Sequence, residues 1–222
     1  PPDYEFPDDA DGDNVYELSV IAMDGNGASD EVFMTVSVTD LMETYTLTVQ
    51  SDHGLPLPGV GVHTNMVNCV LTNAAGRPIV AGATQYVCTG WIMTGHAPER
   101  GSTAMFVMTV TNDATLTWLW NTNYWLDTEA GAHGAVSPAD NWYALGSNVA
   151  VEATADSYYH FSHWTDDASG STNPFDLSMN GPKSVGAVFA ENLATNATPE
   201  WWLASFGWTN DFDAAALDDQ DE

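Results

Sequence analysis

The middle of this chain repeats itself, and that restricts what it can fold into more than any single residue does. Tyr86-Val-Cys-Thr-Gly-Trp91 is echoed 73 residues later by Tyr159-His-Phe-Ser-His-Trp164. Each copy leads into a strand-turn-strand pattern, Phe106 to Trp120 in the first and Phe175 to Phe189 in the second. A repeated unit solves its packing once and then stacks on its neighbour, which is how spacers and adhesins are made. Enzymes are seldom built this way.

Composition narrows the field. Apolar residues make up 44% of the 222, enough to build real cores and to argue against wholesale disorder. Against 31 Asp and Glu stand only Arg77, Arg100 and Lys183, for a net charge of −28. A surface of that sign repels nucleic acid and anionic membranes, so neither is an expected partner. Residues 1–43 carry 12 acids and residues 199–222 carry 7, with no Lys or Arg in either stretch. Two readings of this load stand side by side: divalent cations, since Ca²⁺ prefers clustered carboxylates, or a solvated surface that keeps the protein soluble. No apolar run approaches the ~20 residues of a membrane span. The opening Pro1-Pro2 and the acidic close read as an excerpt of something longer. Cys69 and Cys88 either form one disulfide or remain buried thiols.

Alternation of apolar and polar residues predicts strands over 15–23 and 31–39, joined through Asp24-Gly-Asn-Gly27. Tyr16, Leu18, Val20 and Ala22 share one face of the first arm, and Val32, Met34, Val36 and Val38 share one face of the second. Further strands are predicted from Thr44, near 86–93, 104–111 and 114–120, and then near 123–129, 148–155, 158–165, 174–179 and 184–189. Gly131-Ala-His-Gly134 and Asn180-Gly-Pro-Lys183 read as turns. Up to residue 195 nothing has a helical period. Beyond it, Thr198-Pro-Glu200 reads as an N-cap followed by Pro at the first helical position, Gly207 as the stop, and Asp211 or Asp213 as the cap of a second short helix.

Two family resemblances follow from these residues. Asp3-Tyr-Glu5, Ala22-Met-Asp24 and Val38-Thr-Asp40 make the first segment resemble the C-terminal half of a bacterial cadherin-like domain. That resemblance implies Glu5, Asp24 and Asp40 as Ca²⁺ ligands, and Asp9, Asp11 and Asp13 form a further oxygen-rich loop beside them. The first strands of such a domain and its full linker motif are missing. The second copy of the repeat resembles the divergent B-repeat of the internalin type, through Gly134-Ala-Val-Ser-Pro138, Gly146-Ser-Asn-Val149, Tyr159 to Trp164, Asp167-Ala-Ser-Gly170 and Met179-Asn-Gly-Pro-Lys-Ser184. The first copy keeps the Tyr/Trp strand and the final strand pair but opens differently. This resemblance implies small β folds related to the β-grasp, a role in extension, display or adhesion at a bacterial surface, and no catalytic residues. The tail through Asp219-Gln-Asp221 resembles the linker before a calcium loop and supplies only its first oxygens.

Other side chains add little chemistry. His160 and His163, three apart in a strand, are expected on opposite faces, unable to share a metal. Asp166-Asp167 reads as a solvated loop pair and Lys183 as an exposed turn lysine. Nucleophile elbows, zinc-protease motifs and phosphate loops are absent from the sequence. Most of the nine tryptophans fall in β patterns and read as core. Trp125, Trp142 and Trp208 flank turns and are the candidates for stacking on a sugar.

The expectation is therefore an all-β chain: a partial cadherin-like unit (1–43), two small β-grasp-related modules (44–122 and 123–192), and a helical linker (193–222). Its expected function is that of a non-catalytic extracellular spacer rigidified by calcium, whose expected partners are neighbouring domains, copies of itself or surface glycans. The alternatives are a carbohydrate-binding accessory region of a polysaccharide-degrading enzyme and a self-assembling fibre subunit.

Overall fold

The computed structural model describes residues 4, 6–9 and 11–218. Strands make up 54% of the chain and helix 7%, so it is all-β as expected. Strands β1 (Val15–Met23) and β2 (Ser29–Ser37) form a separate antiparallel hairpin. Its register sets Tyr16 opposite Val36, Leu18 opposite Met34 and Val20 opposite Val32, so the two apolar faces coincide. The second arm begins two residues earlier than the alternation predicts. The Asp24 carboxylate closes the turn tightly, accepting the N–H groups of Asn26 at 2.8 Å and Ala28 at 2.9 Å. Both faces of β2 are exposed along its whole length.

The next eight strands are β3 (Thr44–Gln50), β4 (Gly61–Met66), β5 (Val70–Ala74), β6 (Ile79–Ala81), β7 (Thr84–Thr94), β8 (Arg100–Gly101), β9 (Met105–Thr109) and β10 (Ala114–Ala130). The first of them, β3, runs parallel to the start of β10, with Leu47 beside Ala114 and Gln50 beside Thr117. On the opposite edge of β10, β7 runs antiparallel from Thr115 to Tyr124. Strands β5 and β9 pair as a small second sheet. Between these layers Leu47, Val49, Trp91, Met93, Met108, Leu116 and Trp118 make a first core. The parity of β10 explains its contribution: residues 114, 116 and 118 point one way and are buried.

The same plan returns with β11 (Gly134–Ser137), β12 (Asn141–Ala144), β13 (Asn148–Ala155), β14 (Tyr159–Asp166), β15 (Phe175–Ser178) and β16 (Lys183–Glu191). The far half of β10 now serves as the first strand. It runs parallel to β16 from Leu126 beside Lys183 to Ala130 beside Ala187. Strand β14 pairs antiparallel with β16 as β7 does with β10, and β13 pairs with β15 as β5 does with β9. Leu126, Val149, Val151, Trp164, Leu177, Met179 and Val185 form a second core. Thus β10 closes one module and opens the next. Its 17 residues span about 56 Å at the usual rise per residue.

After β16, helices α1 (Glu200–Ser205) and α2 (Phe212–Asp218) gather Ala194, Leu203, Ala215 and Ala216 into a third, small cluster with Trp202 and Phe212. The sequence places the α1 cap one residue early. Pro199 itself is the N-cap, in extended conformation, and no side chain caps the helix. Of the two acids read as the α2 cap, Asp211 directly precedes the helix and its carbonyl accepts the Ala215 N–H at 3.1 Å, whereas Asp213 lies inside it and its carboxylate accepts the Thr195 N–H at 2.7 Å and the Thr195 hydroxyl at 2.8 Å.

Candidate functional site

The repeated tryptophans sit in matched surroundings. Trp91 and Trp164 are each 3% exposed. Trp91 stacks on Phe106 with centroids 3.9 Å apart, and Trp164 packs on Phe175 at 5.0 Å, the two phenylalanines that open the second half of each repeat. Both strands bulge at the same repeat position. The ladder passes from Gly90 to Cys88 over Thr89 in β7, and from His163 to Phe161 over Ser162 in β14. In β7 the bulge needs glycine: Gly90 has φ +146°, and a Cβ there would strike the Gly101 carbonyl. The match has limits. The Trp164 indole N–H donates to the Thr172 carbonyl at 2.8 Å, whereas the Trp91 indole N–H is buried without a partner.

The bulge corrects the reading of the histidines. An extra residue between them restores parity, so His160 and His163 both lie on the exposed face of β14, while Phe161 and Trp164 turn inward. The ring of His160 hydrogen-bonds the Asn192 side chain at 2.8 Å, and that of His163 the Ser162 hydroxyl at 3.0 Å. Lys183 is also not an exposed turn residue. It starts β16, is partly buried, and lies 4.0 Å from Asp167. Asp166 and Asp167 are exposed as expected, and Asp167 also accepts the Ser184 N–H at 2.8 Å.

A second matched constellation escaped the sequence reading. After the first strand of each module comes a His-Gly pair, His53-Gly54 and His133-Gly134. His53 stacks on Tyr86 at 3.7 Å, and His133 stacks on Tyr159 at 3.9 Å. Each glycine lies against the aromatic residue late in the module's last strand. A Cβ on Gly54 would stand 2.8 Å from the Trp120 ring, and one on Gly134 would collide with the Phe189 ring. The Trp120 indole N–H completes the first site by donating to the Ser51 hydroxyl at 2.9 Å. The signal was available: His-Gly is followed four residues later by proline in both copies, at Pro58 and Pro138. Gly131–Gly134 reads as a turn, which hides β11 starting at Gly134.

Of the acids singled out for calcium, Asp9, Asp11 and Asp13 come together, with one oxygen from each within 4.8 Å of the others. Their loop is shaped by Asp9 accepting the Gly12 N–H at 2.6 Å and Asp13 accepting the Val15 N–H at 2.8 Å. One oxygen of Asp9 and the side-chain oxygen of Asn14 are shielded from water and have no partner among the described residues. This is a donor set of hard oxygens suited to Ca²⁺. Among the described residues Asp24 and Asp40 do not join that group, and Glu5 lies outside the described residues, as do Asp219 and Asp221. Asp24 is occupied by its turn, and the Ala28 and Asn26 N–H groups hold its carboxyl below the usual range. Thr46 does the same to Asp113 through its N–H at 2.7 Å and hydroxyl at 2.9 Å.

Trp125 and Trp142 are cross-strand partners between β10 and β12, meeting edge to face at 5.1 Å and partly buried. Trp208 stands apart from them in the loop before α2, 40% exposed. The cysteines are two separate thiols, so the disulfide alternative is not realised in the structure. Both pack against the first core, and burial pushes the Cys88 thiol up.

The sequence profile of the divergent InlB B-repeat domain matches residues 124–193. The match begins inside β10 and ends just after β16, covering the second module. No curated protein and no solved structure matches the chain. No helix among the described residues is long and apolar enough to cross a membrane.

Proposed function

We propose that this chain is a non-catalytic spacer segment of a bacterial surface protein, holding an adhesive or display region at a fixed distance from the cell. The observation that carries this reading is the shared strand: β10 belongs to both modules, so no flexible linker separates them. The B-repeat match supports a surface-protein repeat for residues 124–193. The recurring pairings, bulge, tryptophan and His-Gly site support reading residues 44–122 as a diverged module of the same kind. The family association supports an extracellular location, which suits the acidic surface.

The test is the spread of distances between spin labels placed one on each module, together with binding to a glycan array. A narrow distance distribution and no saturable glycan binding are expected. A second reading, a carbohydrate-binding accessory region, is favoured by the Trp125–Trp142 pair. Saturable oligosaccharide binding lost in Trp142→Ala would replace the spacer reading with that one.

Within the spacer reading, Ca²⁺ is the cation for Asp9, Asp11 and Asp13. A ligand bound only by the folded state raises stability by about 2.7 kcal/mol at a concentration 100 times its Kd. Calorimetry in millimolar Ca²⁺ and in chelator should therefore show a higher melting temperature for the N-terminal segment with the metal. An Asp11→Asn/Asp13→Asn variant should lose the difference, and an unchanged melt in the parent would remove calcium from the proposal.

A further inference from the structure

We infer that each module is a mechanical clamp, built to resist tension applied along the chain. The inference deepens the spacer reading, and it comes from strand direction. In the first module the chain enters at the start of β3 and leaves along β10, and these two strands are parallel neighbours. In the second it enters along β10 and leaves at the end of β16, again as parallel neighbours. Parallel strands place the entering and leaving ends at opposite ends of the ladder. Tension on the chain then slides one strand past the other and loads the ladder's hydrogen bonds together. An antiparallel terminal pair would present its bonds one at a time, like a zipper.

Three further features fit a load path. Strands β3 and β16 lie inside the sheet, in the order β14-β16-β10-β3-β4, so each is held on both edges, as is β10 where it pairs with β3 and β7. The ladders are dry on their core side. Leu47, Val49 and Leu116 cover the first and Leu126, Val185 and Ala187 the second, all between 0% and 2% exposed, which keeps water from replacing a strained bond. Finally, the load passes from one clamp to the other through β10 itself. On its β7 edge, pairing continues to Tyr124 before β16 takes over at Leu126.

The test is single-molecule force spectroscopy on the whole chain in two geometries. In one, handles are attached at the two ends. In the other they are attached at Ala132 and Glu191, both exposed and both beyond the same end of the β10–β16 ladder, so that tension peels the strands apart. End-to-end pulling should require a several-fold higher rupture force than peeling, and each rupture should release a whole module in one step. Equal forces in the two geometries, or gradual extension under end-to-end load, would overturn the clamp. Both measurements use the same folded chain, so a folding defect cannot mimic either result. Equal forces would leave the spacer reading standing, whereas saturable glycan binding would remove that reading and leave the clamp untouched.

Discussion

At the scale of single residues, the matched sites make paired predictions. Gly134→Ala and Gly54→Ala each push a methyl group into an aromatic ring that closes the module, and overpacking of this sort costs about 1–3 kcal/mol. Gly146 has positive φ with open space around it, so Gly146→Ala carries only the backbone cost. Thermal melts of the three variants should rank Gly146→Ala mildest, and a reversed order would deny that the ring contacts matter. Asp113 predicts a pH effect. Thr46 lowers its pKa in the folded state, so the contact adds stability above the ordinary aspartate pKa of about 3.9 and loses it as pH falls through the lower folded value. Asp113→Asn keeps an acceptor oxygen but cannot titrate, so its stability should fall less steeply as pH drops below the ordinary aspartate range. Much of this detail is local geometry that a sequence carries only faintly. The buried Trp91 and Trp164 were legible because indoles in alternating strands seldom have anywhere else to go. The His-Gly sites were not, since glycine gives no hydropathy signal and its ring partners lie more than 50 residues away.

At the scale of elements, β10 decides the outcome. Its sequence reads as two strands, 114–120 and 123–129, broken at the polar pair Asn121-Thr122, residues of the sort that make turns. The structure keeps them extended because β7 pairs straight across, Asn121 with Val87 and Thr122 with Tyr86. Long-range pairing overrides local preference there, and no local pattern announces it. The same reason hides β6 and β8, three and two residues long, whose strand character comes entirely from lying beside β7. The bulge at Ser162 likewise reverses the facing of His163, which a strict period of two gets wrong. The strands 15–23 and 148–155, by contrast, are recovered to the residue because one face of each carries an apolar residue at every second position. If β10 couples the modules, residues 44–192 should unfold in one calorimetric transition. Inserting a short Gly-Ser segment between Asn121 and Thr122 should split that into two and broaden the distances between spin labels. An insertion without effect would show that the modules were never coupled through the strand.

At the scale of the molecule, charge is the dominant unbalanced quantity. The chain carries a net −28, and Lys183 with Asp167 is the one ion pair among the described residues. Added salt should therefore stabilise the fold, because raising ionic strength from about 0.01 M to about 0.15 M shortens the screening length from about 30 Å to about 8 Å. A melting temperature that rises with NaCl is expected, and one that falls would mean the carboxylates are already compensated within the fold. The all-β class was open to reading from composition and period alone, whereas the fusion of two units through a single strand was not, because it depends on where a strand ends. That fusion has a geometric corollary. Where one strand is both the last of a unit and the first of its successor, every such junction fixes the same axial step and the same turn. A series joined this way would keep a constant pitch and gain length without gaining slack, so its reach would be set by how many units are encoded.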